Sequence, residues 1–164
     1  MKSSKAVSPG KATRRITIQQ EQELIEQAIA LLECRMFKRG AQISNPEDIK
    51  KLMRLKLARY KNEVFAVFFL DSKQRFLAFE ELFRGSVDTA SVYPRVVLQR
   101  ALHHNAAAVV LFHNHPSGVT DPSLADKALT LKLKELLAQI DVRVIDHFIV
   151  GLGEPYSFVE AGLM

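Results

Sequence analysis

Two stretches of this chain have no polar side to show to water. Val64 to Leu70 (VFAVFFL) and Ala107 to Phe112 (AAVVLF) are uninterrupted apolar runs rich in β-branched and aromatic residues. A strand with one wet face alternates apolar and polar residues, so runs like these read as strands buried on both faces. What covers them can be read on either side. Leu24, Ile25, Ala28, Ile29, Leu31 and Leu32 recur with a helical period from Ile18 to about Lys38, and Gly40 ends that helix. Asn45 and Pro46, followed by Glu47 and Asp48, open a second helix that carries Ile49, Leu52, Met53, Leu55 and Leu57 as far as Tyr60.

The rest of the chain keeps alternating between the two periods. Asp71 to Arg75 is a polar turn, and Phe76 to Phe83 reads as a partner strand for the first apolar run. Gly85 to Ser91 reads as loop. Pro94 opens a third helix through Val97, Leu98, Ala101 and Leu102 that ends near Asn105. A loop with Pro116, Gly118 and Pro122 leads into a fourth helix from about Leu124 to Gln139. Val142 to Val150 and Tyr156 to Val159 read as the last strands. Interleaved helices and strands predict an α/β (α+β) class with a mixed β-sheet flanked by helices.

Composition narrows the function classes. A chain of 164 residues with 48% hydrophobic and 25% charged residues has the soluble globular mix and the size of one domain, which excludes collagen-like and wholly disordered readings. No stretch reaches the roughly 18 continuous apolar residues of a membrane span. The basic N-terminus lacks an apolar core, so no secretory signal is expected. A single cysteine, Cys34, excludes a disulfide framework and a Cys-rich metal site, and a cytoplasmic setting is expected. Cys34 itself is expected to be buried and inert on the apolar side of its helix.

The formal charge of +5 is local. Of 23 Lys and Arg residues, Lys2, Lys5, Lys11, Arg14 and Arg15 all precede the first acidic residue, Glu21, which leaves 18 against 18 Asp and Glu. The expected organisation is therefore a disordered basic tail over residues 1–15, an N-terminal amphipathic helix over 16–43 and a folded domain over 44–164. The tail is a solubilising leader or a non-specific contact for nucleic-acid phosphates.

The segment that bears chemistry runs from His113 to Asp126 (HNHPSGVTDPSLAD). In extended backbone, residues two apart point to the same side, so His113 and His115 can converge on one cation. The loop then turns into a helix whose first turn returns Asp126. Two nitrogens and one carboxylate oxygen suit Zn²⁺ and leave a fourth position for water. The plainer readings are a polar loop for the His-x-His pair and a capping box for Ser123 and Asp126. Capping and metal binding are compatible.

The joint spacing of His113, His115, Ser123 and Asp126 resembles the JAMM (MPN+, JAB) metalloprotease signature. Together with Gly85, Pro94-Arg95 and Asp146-His147, the stretch HNHPSG and the PS and Asp that follow are similar to the RadC family in particular. That resemblance covers the chain from about Ser44 onward. It implies a JAB/MPN-like (cytidine-deaminase-like) architecture and a zinc hydrolase that cuts peptide or isopeptide bonds in a peptide or protein substrate. It also implies Zn²⁺ on His113, His115 and Asp126, and Ser123 as an oxyanion stabiliser. The superfamily needs an upstream glutamate as general base and acid. Glu63, Glu80 and Glu81 are the candidates; Glu63 is preferred because it stands just before the first apolar strand.

RadC relatives usually show His-Pro-Arg-Glu where this chain has Tyr93-Pro94-Arg95-Val96, a difference that bears on substrate handling or local packing. The residues before Ser44 show no pattern of the DNA-associated helix–hairpin–helix region of longer RadC proteins. The alternative function is a non-catalytic DNA-repair or mobile-element accessory protein that binds DNA through its basic tail. Asp146 and His147 are expected to form a hydrogen-bonded structural pair, and His103 and His104 to be surface caps at a helix end.

Overall fold

Seven consecutive side chains of the first apolar run are buried, because the strand they form lies inside a sheet covered on both faces. The computed structural model describes residues 16–42, 45–85 and 91–164. The tail read over residues 1–15, the boundary read at residues 43 and 44, and residues 86–90 of the loop after Gly85 lie outside the described residues.

Among the described residues there are four helices and one five-stranded sheet. In chain order these are α1 (Ile18–Met36), α2 (Pro46–Leu57), β1 (Val64–Leu70), β2 (Phe76–Arg84), α3 (Pro94–His103), β3 (Ala108–Asn114), α4 (Leu124–Ala138), β4 (Arg143–Val150) and β5 (Tyr156–Ser157). The strand order is β2-β1-β3-β4-β5. β1 is antiparallel to both neighbours, β3 and β4 are parallel, and β5 returns antiparallel to β4. The mixed, helix-flanked α/β sheet expected from the sequence is the one found.

Alternation along the strands sorts the interior into two cores. Val64, Ala66, Phe68 and Leu70 join Val110, Phe112, Phe148 and Val150 against α2, with Ile29, Leu32 and Met36 of α1 packed on the same cluster. Phe65, Val67 and Phe69 join Val109 and Leu111 against Val97 and Ala101 of α3 and Leu133 and Leu137 of α4. A run that is apolar at every position is thus satisfied by two different helix layers. Local chemistry starts the helices where the sequence places them. Thr17 and Gln20 close a capping box on α1, the Asn45 side chain accepts from the Glu47 backbone at 3.1 Å, and Ser123 and Asp126 close a second capping box on α4.

Three expectations need correction. β3 continues past the apolar run to Asn114, so His113 and Asn114 are buried strand residues; each finds partners inside, which removes the penalty of burying a polar group. Cys34 is exposed, because the face of α1 that packs is set by Ile29, Leu32 and Met36, and two residues beyond Leu32 is about 200° around the helix. Leu24 and Leu31 are exposed for the same reason. His104 is the C-cap residue of α3 but is half-buried rather than a surface group: its ring packs on Phe69 at 4.8 Å and its Nε2 lies 2.6 Å from Glu80 Oε1, while His103 is exposed.

Candidate metal centre

Strand register decides which glutamate meets the histidines. β1 runs antiparallel to β3 with Phe65 opposite His113, so the chain just before β1 lies beside the C-terminal end of β3. Glu63 sits there. Glu63, His113, His115 and Asp126 each offer a ligand atom, and these atoms all lie within 4.8 Å of one another. The other two candidates are elsewhere. Glu80 is bound by the Arg100 guanidinium, whose Nε donates at 2.6 Å, and by His104. Glu81 accepts from the Tyr60 hydroxyl at 2.9 Å and from Arg84 at 2.7 Å.

Within the group, His113 Nε2 and His115 Nε2 are 2.9 Å apart, His113 Nε2 is 3.2 Å from Asp126 Oδ1, and His115 Nε2 is 3.4 Å from Asp126 Oδ2. Ligands held at about 2.1 Å around a tetrahedral ion stand roughly 3.4 Å from each other. The donor set and its spacing therefore fit a metal ion. His115 Nδ1 donates to the Val119 carbonyl at 2.8 Å, which leaves its Nε2 facing the centre. Asp126 serves two masters: Oδ2 accepts from the Ser123 backbone at 2.7 Å and from the Ser123 hydroxyl at 2.6 Å, while Oδ1 faces His113. Helix capping and proximity to both imidazoles coexist on one carboxylate.

Electrostatics follow from this crowding. Burial opposes charge on Asp126, but the adjacent His113 and His115 imidazoles and the Ser123 hydrogen bonds hold its carboxyl well below the usual carboxylate range. The Asp126 carboxylate pushes His115 above the ordinary imidazole value against burial, with the Val119 carbonyl and Glu63 adding to it.

The backbone around the site is fixed by residues that do not reach the centre. The middle residue of His113-Asn114-His115 points away from both imidazoles and clamps the segment that carries Glu63. Asn114 Oδ1 accepts from the Val64 backbone at 2.8 Å, and its Nδ2 donates to the Asn62 carbonyl at 3.1 Å. The Glu63 carbonyl accepts from the Gly85 backbone at 2.8 Å. On the other side, Gly118 has φ +84° and its carbonyl accepts from the Leu152 backbone at 3.0 Å. A Cβ at Gly118 would come within 2.7 Å of the Leu152 side chain, so the turn that presents Val119 to His115 depends on that glycine.

Sequence reading missed Asn114, and Asp146 and His147 form the expected hydrogen-bonded pair, the His147 backbone donating to Asp146 Oδ1 at 2.7 Å. Neighbours on β4, these two face opposite sides of the sheet. Asp146 accepts from the Ser157 hydroxyl at 2.6 Å and from the His147 and Val159 backbones, and burial raises its carboxyl above the ordinary value. His147 is fully buried on the α4 side, with Nε2 at 2.8 Å from His113 Nδ1 and Nδ1 at 2.6 Å from Thr130 Oγ1. Burial pushes its pKa well below the ordinary imidazole value. Two polar residues interrupting an apolar strand were the available signal, and strand alternation was the clue that they serve different faces. Tyr93, in place of the usual histidine, sets its ring against Phe83 at 6.0 Å.

Residues 43–163 match the family model described as the RadC-like JAB domain. A UPF0758 protein of Nitrosococcus oceani is 56% identical over 128 residues, covering 78% of this chain and 57% of the relative. One from Ectopseudomonas mendocina is 52% identical over 145 residues, covering 88% and 64%, and one from Verminephrobacter eiseniae is 49% identical over 162 residues, covering 98% and 65%. The chain thus spans about three-fifths of the length of these curated relatives. With the domain matched over most of its length and the histidine–carboxylate group seated inside the matched region, the chain belongs to the RadC family.

Proposed function

We propose that this chain is a zinc-dependent hydrolase that cleaves amide bonds in peptide or protein substrates, with His113, His115 and Asp126 holding the ion. The observation that supports it most is the meeting of two imidazole nitrogens and the two oxygens of the Asp126 carboxylate at 2.9–3.4 Å, with a second carboxylate, Glu63, in the same group. Nitrogen and oxygen donors in this number suit Zn²⁺. When bound, Zn²⁺ supplies a Lewis acid and brings the pKa of its water toward neutrality.

The chain's residues supply the rest of the reaction. Glu63 takes the proton from the attacking water and returns it to the nitrogen of the leaving amine, so one carboxylate serves as base and then as acid. The Ser123 backbone, which donates to Asp126 Oδ2 at 2.7 Å, favours the ionised form of that carboxylate. The Ser123 hydroxyl, which donates to Asp126 Oδ2 in this structure, supports the developing oxyanion after a change of rotamer. Asn114 keeps Glu63 at the working end of β3 by holding Asn62 and Val64.

The test is elemental analysis of the protein purified under metal-replete conditions, together with hydrolysis of peptide and isopeptide substrates. The expected result is one zinc per chain, with both zinc and hydrolysis lost in the His113→Ala, His115→Ala double variant. A protein that takes up no divalent ion, or an activity untouched by the double substitution, overturns the reading.

A further inference from the structure

We infer that Thr130 and His147 form a one-way hydrogen-bond relay that keeps the His113 proton on Nδ1, so that the bare Nε2 faces the metal; both are positioning residues of this centre. The inference rests on the reading of the site as a metal centre, and it adds how the chain prepares that centre before an ion arrives.

The direction of the relay follows from which atoms can give a proton. Thr130 Oγ1 lies 2.6 Å from the Asp126 backbone carbonyl, one helical turn earlier, and a carbonyl can only accept. The hydroxyl proton goes there. Thr130 Oγ1 must then accept from His147 Nδ1, which is 2.6 Å away. With no carboxylate on either nitrogen, this fully buried ring carries a single proton, on Nδ1, and its Nε2 is bare. Facing that bare nitrogen at 2.8 Å is His113 Nδ1, which therefore donates. His113 Nε2 is left with its lone pair exposed to the centre.

His115 arrives at the same state by a shorter route through the Val119 carbonyl. Two lone pairs 2.9 Å apart, beside a carboxylate oxygen at 3.2 Å, repel one another until a cation or a proton lies between them. Packing fixes the relay ring independently of its hydrogen bonds: His147 stacks on Phe158 with centroids 4.9 Å apart and meets Phe65 edge-on at 5.8 Å. Helix periodicity makes the device compact. Asp126 and Thr130 are four residues apart on α4, so the helix that delivers a ligand also carries the hydroxyl that sets the tautomer of another.

The experiment combines ¹⁵N imidazole NMR of the full-length metal-free protein with Zn²⁺ affinity measured against a chromophoric chelator. In the unsubstituted chain His113 should show a protonated Nδ1 and a pyridine-type Nε2. Thr130→Val removes the acceptor and keeps the shape; it should weaken zinc binding roughly 10- to 100-fold, and Thr130→Ser should restore it. His147→Phe, which keeps the ring packing, should weaken binding like Thr130→Val. A His113 proton found on Nε2 in the metal-free protein, or Thr130→Val and His147→Phe proteins that fold and bind zinc as well as the unsubstituted chain, overturns the relay. If no variant folds, the NMR assignment in the unsubstituted chain decides alone. If that chain binds no zinc, the metal reading fails and the relay is again judged on the His113 tautomer.

Discussion

At Glu80 a carboxylate meets the imidazole of His104 at 2.6 Å and the guanidinium of Arg100; at Asp126 a carboxylate meets two imidazoles, with Glu63 close by. Both groups are half-buried and both combine acid with histidine, yet the first includes an arginine, while the second brings two imidazoles and two carboxylates to one point. Arg cannot give up its charge, so the Glu80 group is balanced by the chain itself. The Asp126 group concentrates lone pairs and negative charge that a metal ion would balance. Carboxylate–histidine proximity is therefore a weak sign of chemistry by itself; the sign is stronger when two imidazole nitrogens and carboxylate oxygens converge on one point.

Three substitutions sharpen that contrast. The largest effect is expected at Glu63. Glu63→Gln should keep bound zinc, because His113, His115 and Asp126 are untouched, while kcat for amide hydrolysis falls by about 10²–10⁴; metal content and single-turnover rate measured on one preparation check it. Next comes Glu80→Gln, which should leave metal content and turnover unchanged and lower unfolding free energy by about 1 kcal/mol after solvent screening. The hydrogen bond from Arg100, with burial opposing and His104 assisting, places Glu80 below its ordinary value of 4.5. Its contribution is thus present above that value and lost as pH falls through the lowered one, so urea midpoints of the variant should vary less with pH on the acid side.

The smallest effect has the opposite sign. Burial raises the Asp146 carboxyl above its ordinary 3.8, so its contribution is fullest below that value and is lost as pH rises through the raised one. Asp146→Asn should gain stability relative to the unsubstituted chain across that rise. Equal pH profiles for the two proteins would count against the assigned burial.

How much of this could be read in advance depended on the range of the interactions. The strands were legible because VFAVFFL and AAVVLF leave no other way to hide seven and six apolar side chains. The convergence of His113, His115 and Asp126 was legible because a strand pleat and a helix start, both local, bring them together. Glu63 was one of three candidates until β1 and β3 registered. His147 and Asn114 could not be assigned their partners, since those bonds cross from one strand to another over 34 and 50 residues. Cys34 and His104 were misread for a related reason: the packed side of a helix is chosen by what lies against it, and the periodicity of α1 offers more apolar positions than its neighbours cover.

The shared carboxylate at the start of α4 carries one more consequence. Asp126 ties the first turn of the helix to its own N-cap while its other oxygen faces His113 at the end of β3. An ion at this centre would act as a rivet between two layers of the fold, and its removal would loosen both joints at once. Loading and local order at that corner of the molecule are then a single event.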